Sequence, residues 1–538
     1  MKAVRTLILG SAAGLLVAGG AQAADLPVKA KAVEYVRVCS LYGAGFFYIP
    51  GTDTCIKLGG YMRADVTFNA SAAHGAPAWS GDSGQQNRYR DYFIDRSRMV
   101  LQVDTRTATE YGVVRTFGAA KFQFTTLGNS RNPAVLNTSI LNAGTGLGAV
   151  ANNAQLLDTP GGGYVAITDL FIQFAGFTFG KSASAYANPW QGNPGGNLSS
   201  FLLGGFQQDN SGTNNIQYTA EFGNGVSATI GLDDPTVWDR TNVYNLAPNL
   251  ALNATLGGNN VYAGVHAPDV VGRVRVDQAW GLFQISGAAH EVNASYNSLG
   301  LSGLPAVAVT SGSPGGASEP SGHPDSTWGG AGMVSLQIKN IPTGAGDDIK
   351  FDASYAKGAT KYVIGTDSTS PSFAMFGGTS LAGTYQSIGF GSTTDAVFLP
   401  AINGGDGRLH LTEAYGFRGG YTHNWDPHWS SSIYGSYSAV RYDGTAKANI
   451  CANYTTAGKA VSADYVCNPD FNASQLGFIT RWTPVKNLTF AAEVQWFHLD
   501  QKFQGTALLA PSGPKPTTRY EFKDQDTVQL ELRVQRNF

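Results

Sequence analysis

Apolar and polar residues alternate with a period of two along many short stretches of the chain, and the last stretch shows the pattern most clearly. Residues 524–538 read DQDTVQLELRVQRNF, so apolar side chains from Val528 to Val534 alternate with polar ones, and the chain ends on Phe538. Successive side chains of a β-strand point to opposite faces, which gives this segment one apolar and one polar face. We interpret it as the closing strand of a transmembrane β-barrel, with lipid on one side and water on the other.

The same alternation recurs in about fifteen earlier stretches, most of them arranged as neighbouring pairs. These stretches are residues 56–68, 91–106, 111–125, 165–174, 177–186, 215–222, 226–232, 271–280, 282–292, 326–339, 348–358, 409–424, 428–440, 472–482 and 488–499. With the terminal strand, the pattern predicts an all-β protein, an antiparallel transmembrane β-barrel of about sixteen strands. An even number is expected for a single-chain bacterial barrel.

Short and long connections alternate between these stretches. The short ones include a Gly223-Asn224-Gly225 turn, a strong hairpin signal, whereas the long ones are rich in Gly, Ser, Asn and Pro. Such long connections are unusual in a compact soluble domain but normal on the extracellular side of an outer-membrane barrel. The sequence therefore predicts short periplasmic turns and long extracellular loops. The third long loop, about residues 187–214, contains an apolar FLLGGF segment and is expected to fold inward and narrow the lumen.

The N-terminus has the pattern of a secretory signal. Lys2 and Arg5 precede an apolar run over residues 7–18, and Ala21-Gln22-Ala23 offers a small-residue cleavage site. The run is shorter than the ~20 residues of a membrane-spanning helix. We expect a signal peptide at residues 1–23, a periplasmic lead and first disulfide loop at 24–55, and the barrel at 56–538.

The four cysteines fall into two local pairs, Cys39 with Cys55 and Cys451 with Cys467. An exported protein meets an oxidising compartment in which disulfides persist. Zinc sites use closer cysteine spacing or nearby histidines, and neither occurs here. The spacing favours two disulfides that each close a short loop, although the sequence alone does not fix their connectivity.

Composition and motifs exclude several classes of function. Charged residues make up only 14% of the chain and the formal net charge is −2, which gives no basic surface for nucleic acid. Residues 175–182, AGFTFGKS, match a relaxed phosphate-loop pattern, but Phe177 and Phe179 alternate as in a strand and no helix follows. The sequence therefore predicts no enzyme, no cofactor and no metal site.

A barrel of about sixteen strands is too wide for its own side chains to fill, so we expect a water-filled lumen lined by charge. A Lys or Arg at the lipid-facing midplane costs ~2 to 4 kcal/mol, so the charged parity must point inward. The candidate pore-lining or constriction residues are Arg63, Arg96, Arg98, Arg115, Lys121, Asp209, Arg481, Glu493, Glu531 and Arg533. For most of these residues we favour the simpler interpretation, that they form a generic solvated wall.

The sharper hypothesis concerns a basic patch. Arg63, Arg96, Arg98 and Arg115 lie on three consecutive predicted strands. Facing acidic groups across a narrow section, they would set up a transverse field that sieves small polar solutes. In the third long loop only Asp209 offers such an acid.

Five segments spread over the chain resemble the alphaproteobacterial general porins of the rhizobial and Brucella type. They are CSLYGAGFFYIPGTDTCIKLGGYM at residues 39–62, RSRMVLQVDTRTATEYGVVRTF at 96–117, DLFIQFAGFTFGKSAS at 169–184, RWTPVKNLTFAAEVQW at 481–496 and the ending RVQRNF. The resemblance implies a homotrimer of sixteen-stranded barrels in the outer membrane, an inward-folded third loop and passive diffusion of small hydrophilic solutes and ions. It also implies contact with outer-membrane lipid and lipopolysaccharide, and recognition of Phe538 by the barrel-assembly machinery.

Two other functions remain open at the level of sequence. A substrate-selective outer-membrane channel would show an aromatic ladder or a saturable site in its lumen. An outer-membrane adhesin or structural barrel would bind partners through its long loops and have a plugged lumen. A secreted soluble enzyme is disfavoured because the predicted strands carry Phe, Trp and Leu on their outer face.

Overall fold

In a computed structural model, residues 37–538 are described except 71–74, 87–89, 91, 126–163, 191, 199–200, 207–211, 237–238, 247–259, 298–321, 366–371, 457–459, 510 and 512–514. The expected signal peptide, the beginning of the expected periplasmic lead, and Asp209 lie outside the described residues.

Sixteen antiparallel strands of the described chain form one closed barrel. They are β1 (Thr54–Phe68), β2 (Phe93–Thr109), β3 (Gly112–Thr125), β4 (Tyr164–Phe174), β5 (Phe177–Ser182), β6 (Thr213–Gly223), β7 (Val226–Asp233), β8 (Asp269–Gln278), β9 (Gly281–Val292), β10 (Thr327–Lys339), β11 (Asp348–Lys357), β12 (Glu413–Asn424), β13 (Trp429–Arg441), β14 (Phe471–Val485), β15 (Leu488–Gln501) and β16 (Gln525–Asn537). Each strand pairs with the next, and β16 pairs with β1 from Tyr61 opposite Asn537 to Phe68 opposite Leu530. The sixteen-stranded fold predicted from the alternation is thus confirmed.

The alternation places apolar side chains on the outside of the barrel. Leu58, Leu170 and Ile230 are each 62% exposed, as expected for residues that would face lipid. The charged parity is turned inward, where Asp65 and Arg418 are buried. The alternation of apolar and polar residues therefore gives each strand an apolar face toward lipid and a polar face toward the lumen.

The two ends of the barrel differ in their connections. At one end, here called the turn end, strands are joined by two to eight residues, as at Ala175-Gly176 between β4 and β5. Ala175 and Gly176 have φ angles of 49° and 85°, and the left-handed backbone allows the chain to reverse within two residues. The opposite end, the loop end, carries all the long connections, as the sequence predicted.

The connections and the N-terminal segment contain further short elements. The strands are Phe47–Tyr48, Asn242–Asn245, Ser372–Gly377, Ser387–Ser392, Thr394–Phe398, His410–Leu411, Thr506–Leu509 and Thr518–Phe522; the α-helices are Gly81–Gln85 and Gly444–Thr456; the 3-10 helices are Ser40–Tyr42, Thr360–Tyr362 and Ala401–Asn403. Four of these strands form a small sheet at the loop end, around a core that includes Phe376, Phe390 and Phe522. Within the described ranges no helix is both long and apolar enough to cross a membrane.

Both predicted cysteine pairs are disulfide-bonded. Cys39 and Cys55 lie 6.1 Å apart at their Cα atoms, and their bond fastens the N-terminal segment to the start of β1. Cys451 and Cys467 lie 5.8 Å apart and tie the helix Gly444–Thr456 to the connection that leads into β14.

Candidate functional site

The connection after β5 passes through the lumen along the inner wall. Its described part within residues 187–206, here called the lumen segment, contacts strands from both halves of the chain. Gln284 of β9 donates to the carbonyl of Ala187 at 2.8 Å. Farther along, Gln475 of β14 accepts from the Leu203 amide at 2.7 Å and donates to the Phe201 carbonyl at 2.9 Å. The backbone of the segment thus finds in wall side chains the partners that a sheet would otherwise supply.

A buried ion pair holds the end of the lumen segment. Arg418 of β12 pairs with Asp352 of β11 at 2.8 Å, and both side chains are fully buried. The same guanidinium donates to the carbonyls of Leu202 at 3.1 Å and Phe206 at 3.2 Å. Arginine suits this position because its planar group offers several donors in fixed directions, so one side chain ties two strands to the segment.

Three charged residues near the closing strand hold the middle of the segment. Arg481 donates to the carbonyls of Gly195 and Gly196 at 2.8 and 2.6 Å. The carbonyl of Leu198 accepts from Arg533 at 3.1 Å, and the Leu198 amide donates to Glu493. Because bonds to ionised groups are stronger than neutral ones, these anchors fix the segment against β14, β15 and β16.

Glycines of the wall let the segment approach closely. A Cβ on Gly420 would lie 2.6 Å from the amide nitrogen of Gly195, and a Cβ on Gly416 would lie 2.6 Å from the Cα of Gly204. Both distances are far below a normal van der Waals contact, so β12 can carry only hydrogen at these two positions without displacing the segment. The glycines flank Arg418 on the same strand face, which makes this part of β12 a seat for the segment.

Aromatic side chains fill the same side of the lumen nearer the loop end. The Trp79 ring lies 4.9 Å from Phe497 of β15 and 5.2 Å from Phe373, which belongs to the small loop-end sheet. Phe471 of β14 packs against Phe373 at 5.6 Å. The lumen is therefore occupied on the side of β14 and β15.

A cavity of about 700 Å³ lies between the lumen segment and strands β1–β6, β8 and β16. Its charged lining residues are Arg63, Arg115, Lys121, Asp169, Arg273, Arg275 and Arg533. Its aromatic lining residues are Tyr61, Phe117, Phe171 and Trp190. Six basic groups and one acidic group thus face this cavity within the described part of the chain.

The residues proposed from the sequence as pore-lining are divided by the structure. Arg63, Arg115, Lys121 and Arg533 line the cavity, whereas Arg96 and Arg98 are not among its lining residues. Arg96 pairs with Asp65 at 2.5 Å and is 3% exposed, and Arg98 donates to Gln123 at 2.6 Å and is 8% exposed. The four-arginine patch therefore contributes two members to the cavity.

The other described pore-lining candidates lie on strands β14–β16, where the lumen segment is anchored. Arg481 and Glu493 hold the lumen segment, as described above, and Glu531 is fully buried and pairs with Arg533 at 2.7 Å. Phe538 extends the last strand, and its amide donates to the Gly60 carbonyl at 3.1 Å.

Sequence reasoning missed Asp169, the acid that lines the cavity. The pairing of β3 with β4 shifts between Ala119 and Ala120, and the resulting bulge around Thr168 places both Thr168 and Asp169 in the cavity lining. The trace of this bulge in the sequence is a break in the apolar parity between Ile167 and Leu170. The anchoring roles of Gln284 and Gln475 left no local trace.

A family model described as "Porin subfamily" matches residues 25–530. Porin Omp2b of Brucella suis is 31% identical over 280 residues, which cover 52% of this chain and 64% of that porin. Porin Omp2a of Brucella canis is 34% identical over 237 residues, covering 43% of this chain and 56% of that porin. Each match thus spans less than two thirds of the relative's length.

Among solved structures, the outer membrane channel DcaP of Acinetobacter baumannii superimposes with a TM-score of 0.53 at 14% identity, covering 91% of this chain and 99% of that chain. At this identity the likeness concerns the fold alone. Because the family model covers most of the chain and the strands close into an outer-membrane type of barrel, the chain belongs to the porin subfamily and resides in the bacterial outer membrane.

Proposed function

We propose that the protein is a water-filled channel through which small hydrophilic solutes and ions diffuse passively across the outer membrane. The observation that carries the proposal is the lumen segment, pinned to one side of the barrel so that a polar-lined cavity of about 700 Å³ remains on the other. A plugged structural barrel would have no use for such an opening, and a wider unobstructed barrel would not sieve solutes.

Conduction of this kind needs a wetted, charged wall and a fixed width, and it needs no catalytic group or cofactor. The lining arginines and Lys121 keep water in the cavity because an ionised side chain is costly to strip of its hydration. The width depends on the anchors at Arg418, Gln475 and Arg481, which hold the segment back from the opening. Solutes larger than the remaining gap are excluded by contact with the segment.

The assembly and its partners are part of the same proposal. We infer a homotrimer, inserted by the barrel-assembly machinery and surrounded by outer-membrane lipid and lipopolysaccharide. Phe538 supports the assembly role because the residue, which follows the closing strand, is 58% exposed and thus available to a recognition surface. Deletion of Phe538 is expected to impair insertion in cells before it affects conduction by protein that has been folded in vitro.

Planar-bilayer recording of the purified, folded protein tests the channel. We expect large stepwise conductance that rises in proportion to salt concentration without saturation. Heat-modifiable migration in detergent gels would show that the barrel is folded in the same preparation. Folded protein that inserts into the bilayer and carries no current would refute the proposal.

A second candidate, a substrate-selective channel, is favoured by one observation. Tyr61, Phe117, Phe171 and Trp190 line the cavity, and the Phe117 and Phe171 rings lie 5.3 Å apart. A planar solute could stack on such a surface. Conductance that saturates with one class of solute, while the current carried by simple salts stays linear, would identify this alternative.

A further inference from the structure

The cavity that remains beside the lumen segment has an excess of positive charge. Six of its seven charged lining residues are basic, and Asp169 is the acid among them. A cleft with walls of one sign and low dielectric concentrates ions of the opposite sign. The question is how much of this charge is cancelled by nearby carboxylates.

Acidic partners cancel part of the positive charge that lines the cavity. Arg115 pairs with Asp104 at 3.0 Å, and Arg275 pairs with Asp277 at 2.9 Å. Arg533 contacts Asp65 and pairs with Glu531 at 2.7 Å. These arginines contribute hydrogen-bond donors to the cavity, but each shares its charge with an acid.

Arg63 and Arg273 are different, because the hydrogen bonds of both guanidinium groups go to neutral side chains. Arg63 donates to Gln535 at 2.8 and 2.6 Å, and its guanidinium lies 4.5 Å from the centre of the Tyr61 ring. Arg273 donates to Thr229 at 3.3 Å. Asp65 and Glu221 attract Arg63 and Arg273, respectively, without accepting a hydrogen bond from them. β1 and β8, which carry these two arginines, are far apart in the strand order, so the two positive charges approach the cavity from separate parts of the wall.

Charged residues outside the described part of the chain do not reverse this balance, since between residues 37 and 538 they number three basic and five acidic. Residues 126–163 contain one basic and one acidic residue, Arg131 and Asp158, and residues 207–211 contain Asp209 as their one charge. Even with Asp209 turned into the lumen, the cavity would keep more basic than acidic side chains.

We propose that the cavity selects small anions, such as chloride and solutes bearing a carboxylate or phosphate group, over cations of similar size, with Arg63 and Arg273 setting this preference. The proposal rests on the channel function proposed above and names the class of solute that the channel favours. A fixed transverse arrangement of charge acts on every passing ion without a tight binding site, so the preference appears as permeability and falls as salt screens the field.

The test is the reversal potential of the full-length folded protein in planar bilayers under a potassium chloride gradient. In dilute salt near 0.1 M, where the Debye length is about 10 Å, we expect chloride to be favoured over potassium by about threefold or more. Near 1 M, where the Debye length is about 3 Å, the ratio should approach one.

The double variant Arg63→Gln/Arg273→Gln removes both charges but keeps side chains that can hydrogen-bond. It should lower the chloride-to-potassium ratio at least about twofold in dilute salt. The matched control is Lys357→Gln, which removes one positive charge from the outward face of β11, where Lys357 pairs with Glu413 at 2.8 Å. The control should keep the wild-type ratio.

The possible results of these recordings lead to different conclusions. A wild-type ratio of one or less in dilute salt would overturn anion selectivity while leaving the channel intact. A double variant that shifts the ratio no more than Lys357→Gln would remove Arg63 and Arg273 from the role. Absence of current from folded wild-type protein would instead overturn the proposed channel. If the double variant does not fold, the wild-type ratio and its dependence on salt still decide the proposal.

Discussion

Arg418 and Asp352 give a sharp test of how the lumen segment is held, because two variants of this pair separate stability from anchoring. Replacing Arg418 with Met removes the guanidinium and leaves the Asp352 carboxylate buried without its partner. Replacing both residues, as Arg418→Met/Asp352→Leu, removes the buried charge altogether. Both variants lose the hydrogen bonds from Arg418 to the carbonyls of Leu202 and Phe206.

The expected magnitudes differ in the two variants. Breaking a buried ion pair on one side typically costs ~3 to 5 kcal/mol, whereas replacing the whole pair by apolar groups of similar size is often close to neutral. The lost carbonyl contacts cost about 1.5 to 3 kcal/mol each, as bonds to a charged donor, and they are lost equally in both variants. We therefore expect Arg418→Met to be less stable than the double variant by ~3 kcal/mol or more.

Two measurements separate these effects. Urea unfolding of the barrel in detergent or lipid vesicles gives the free energy of unfolding, and bilayer recording gives the conductance of single channels. Stability should fall most in the single variant. Conductance should change in both, with larger fluctuations of the open-channel current, because the segment has lost the same anchor in each.

The reasoning would be refuted in either of two ways. If the two variants were equally stable, the Asp352 carboxylate would not be a buried, uncompensated charge in the single variant. If both variants conducted like the wild type with a quiet open-channel current, Arg418 would not hold the segment.

The other predictions concern the seat of the segment and the turn end. Gly420→Val should change the single-channel conductance, because its Cβ would lie 2.6 Å from the Gly195 amide nitrogen and overpacking typically costs ~1 to 3 kcal/mol; an unaltered conductance would contradict the seat. At the turn end, burial opposes ionisation of Asp347, but hydrogen bonds from Thr343, the Asn424 amide and His423 outweigh it and hold the pKa of Asp347 below that of an ordinary aspartate. Because the pKa of Asp347 is lower in the folded state, its ionised carboxylate stabilises the fold above the unfolded pKa of about 3.9, and this stabilisation is lost as the pH falls further. Thermal stability should therefore decrease below about pH 4 in the wild type and less steeply in Asp347→Asn. Equal pH profiles would contradict this.

Strand positions could be predicted from the sequence because their signal is local. Leu530 and Glu531 take opposite faces whatever the rest of the chain does, so alternation was enough to find the sixteen strands. The end of β5 was not found in this way, since the predicted stretch 177–186 continues past Ser182, where the structure ends the strand and the chain turns toward the lumen. A strand ends where its pairing with neighbouring strands ends, and the residues around Ser182 do not reveal where those partners stop.

The alternation also does not predict which inward-facing side chains reach the cavity and which are buried in the wall. Arg63 and Arg96 both have the inward parity of neighbouring strands, yet Arg63 lines the cavity and Arg96 is buried against Asp65. What separates them is which neighbour each meets, and Arg96 meets a carboxylate across the β1–β2 ladder at the residue directly opposite. Contacts of the lumen segment with β9 and β12–β16 join residues up to 335 positions apart, so no window along the chain could predict them.

The anchoring of the lumen segment and the charge of the cavity are two consequences of one distribution of acids. Asp352 is engaged by Arg418, Glu493 by the Leu198 amide, and Glu531 by Arg533. These three carboxylates bind groups on the side where the segment is held, whereas Arg63 and Arg273 in the cavity wall donate their hydrogen bonds to neutral side chains. Perturbing the anchor should therefore alter conductance and selectivity together, because the segment would move relative to the opening and to the acids of the wall that bind it. Neutralising Arg63 and Arg273 should alter ion selectivity with little effect on the width of the channel. A large change in the size of excluded solutes in that variant would show that ion selectivity and channel width do not depend on separate groups of residues.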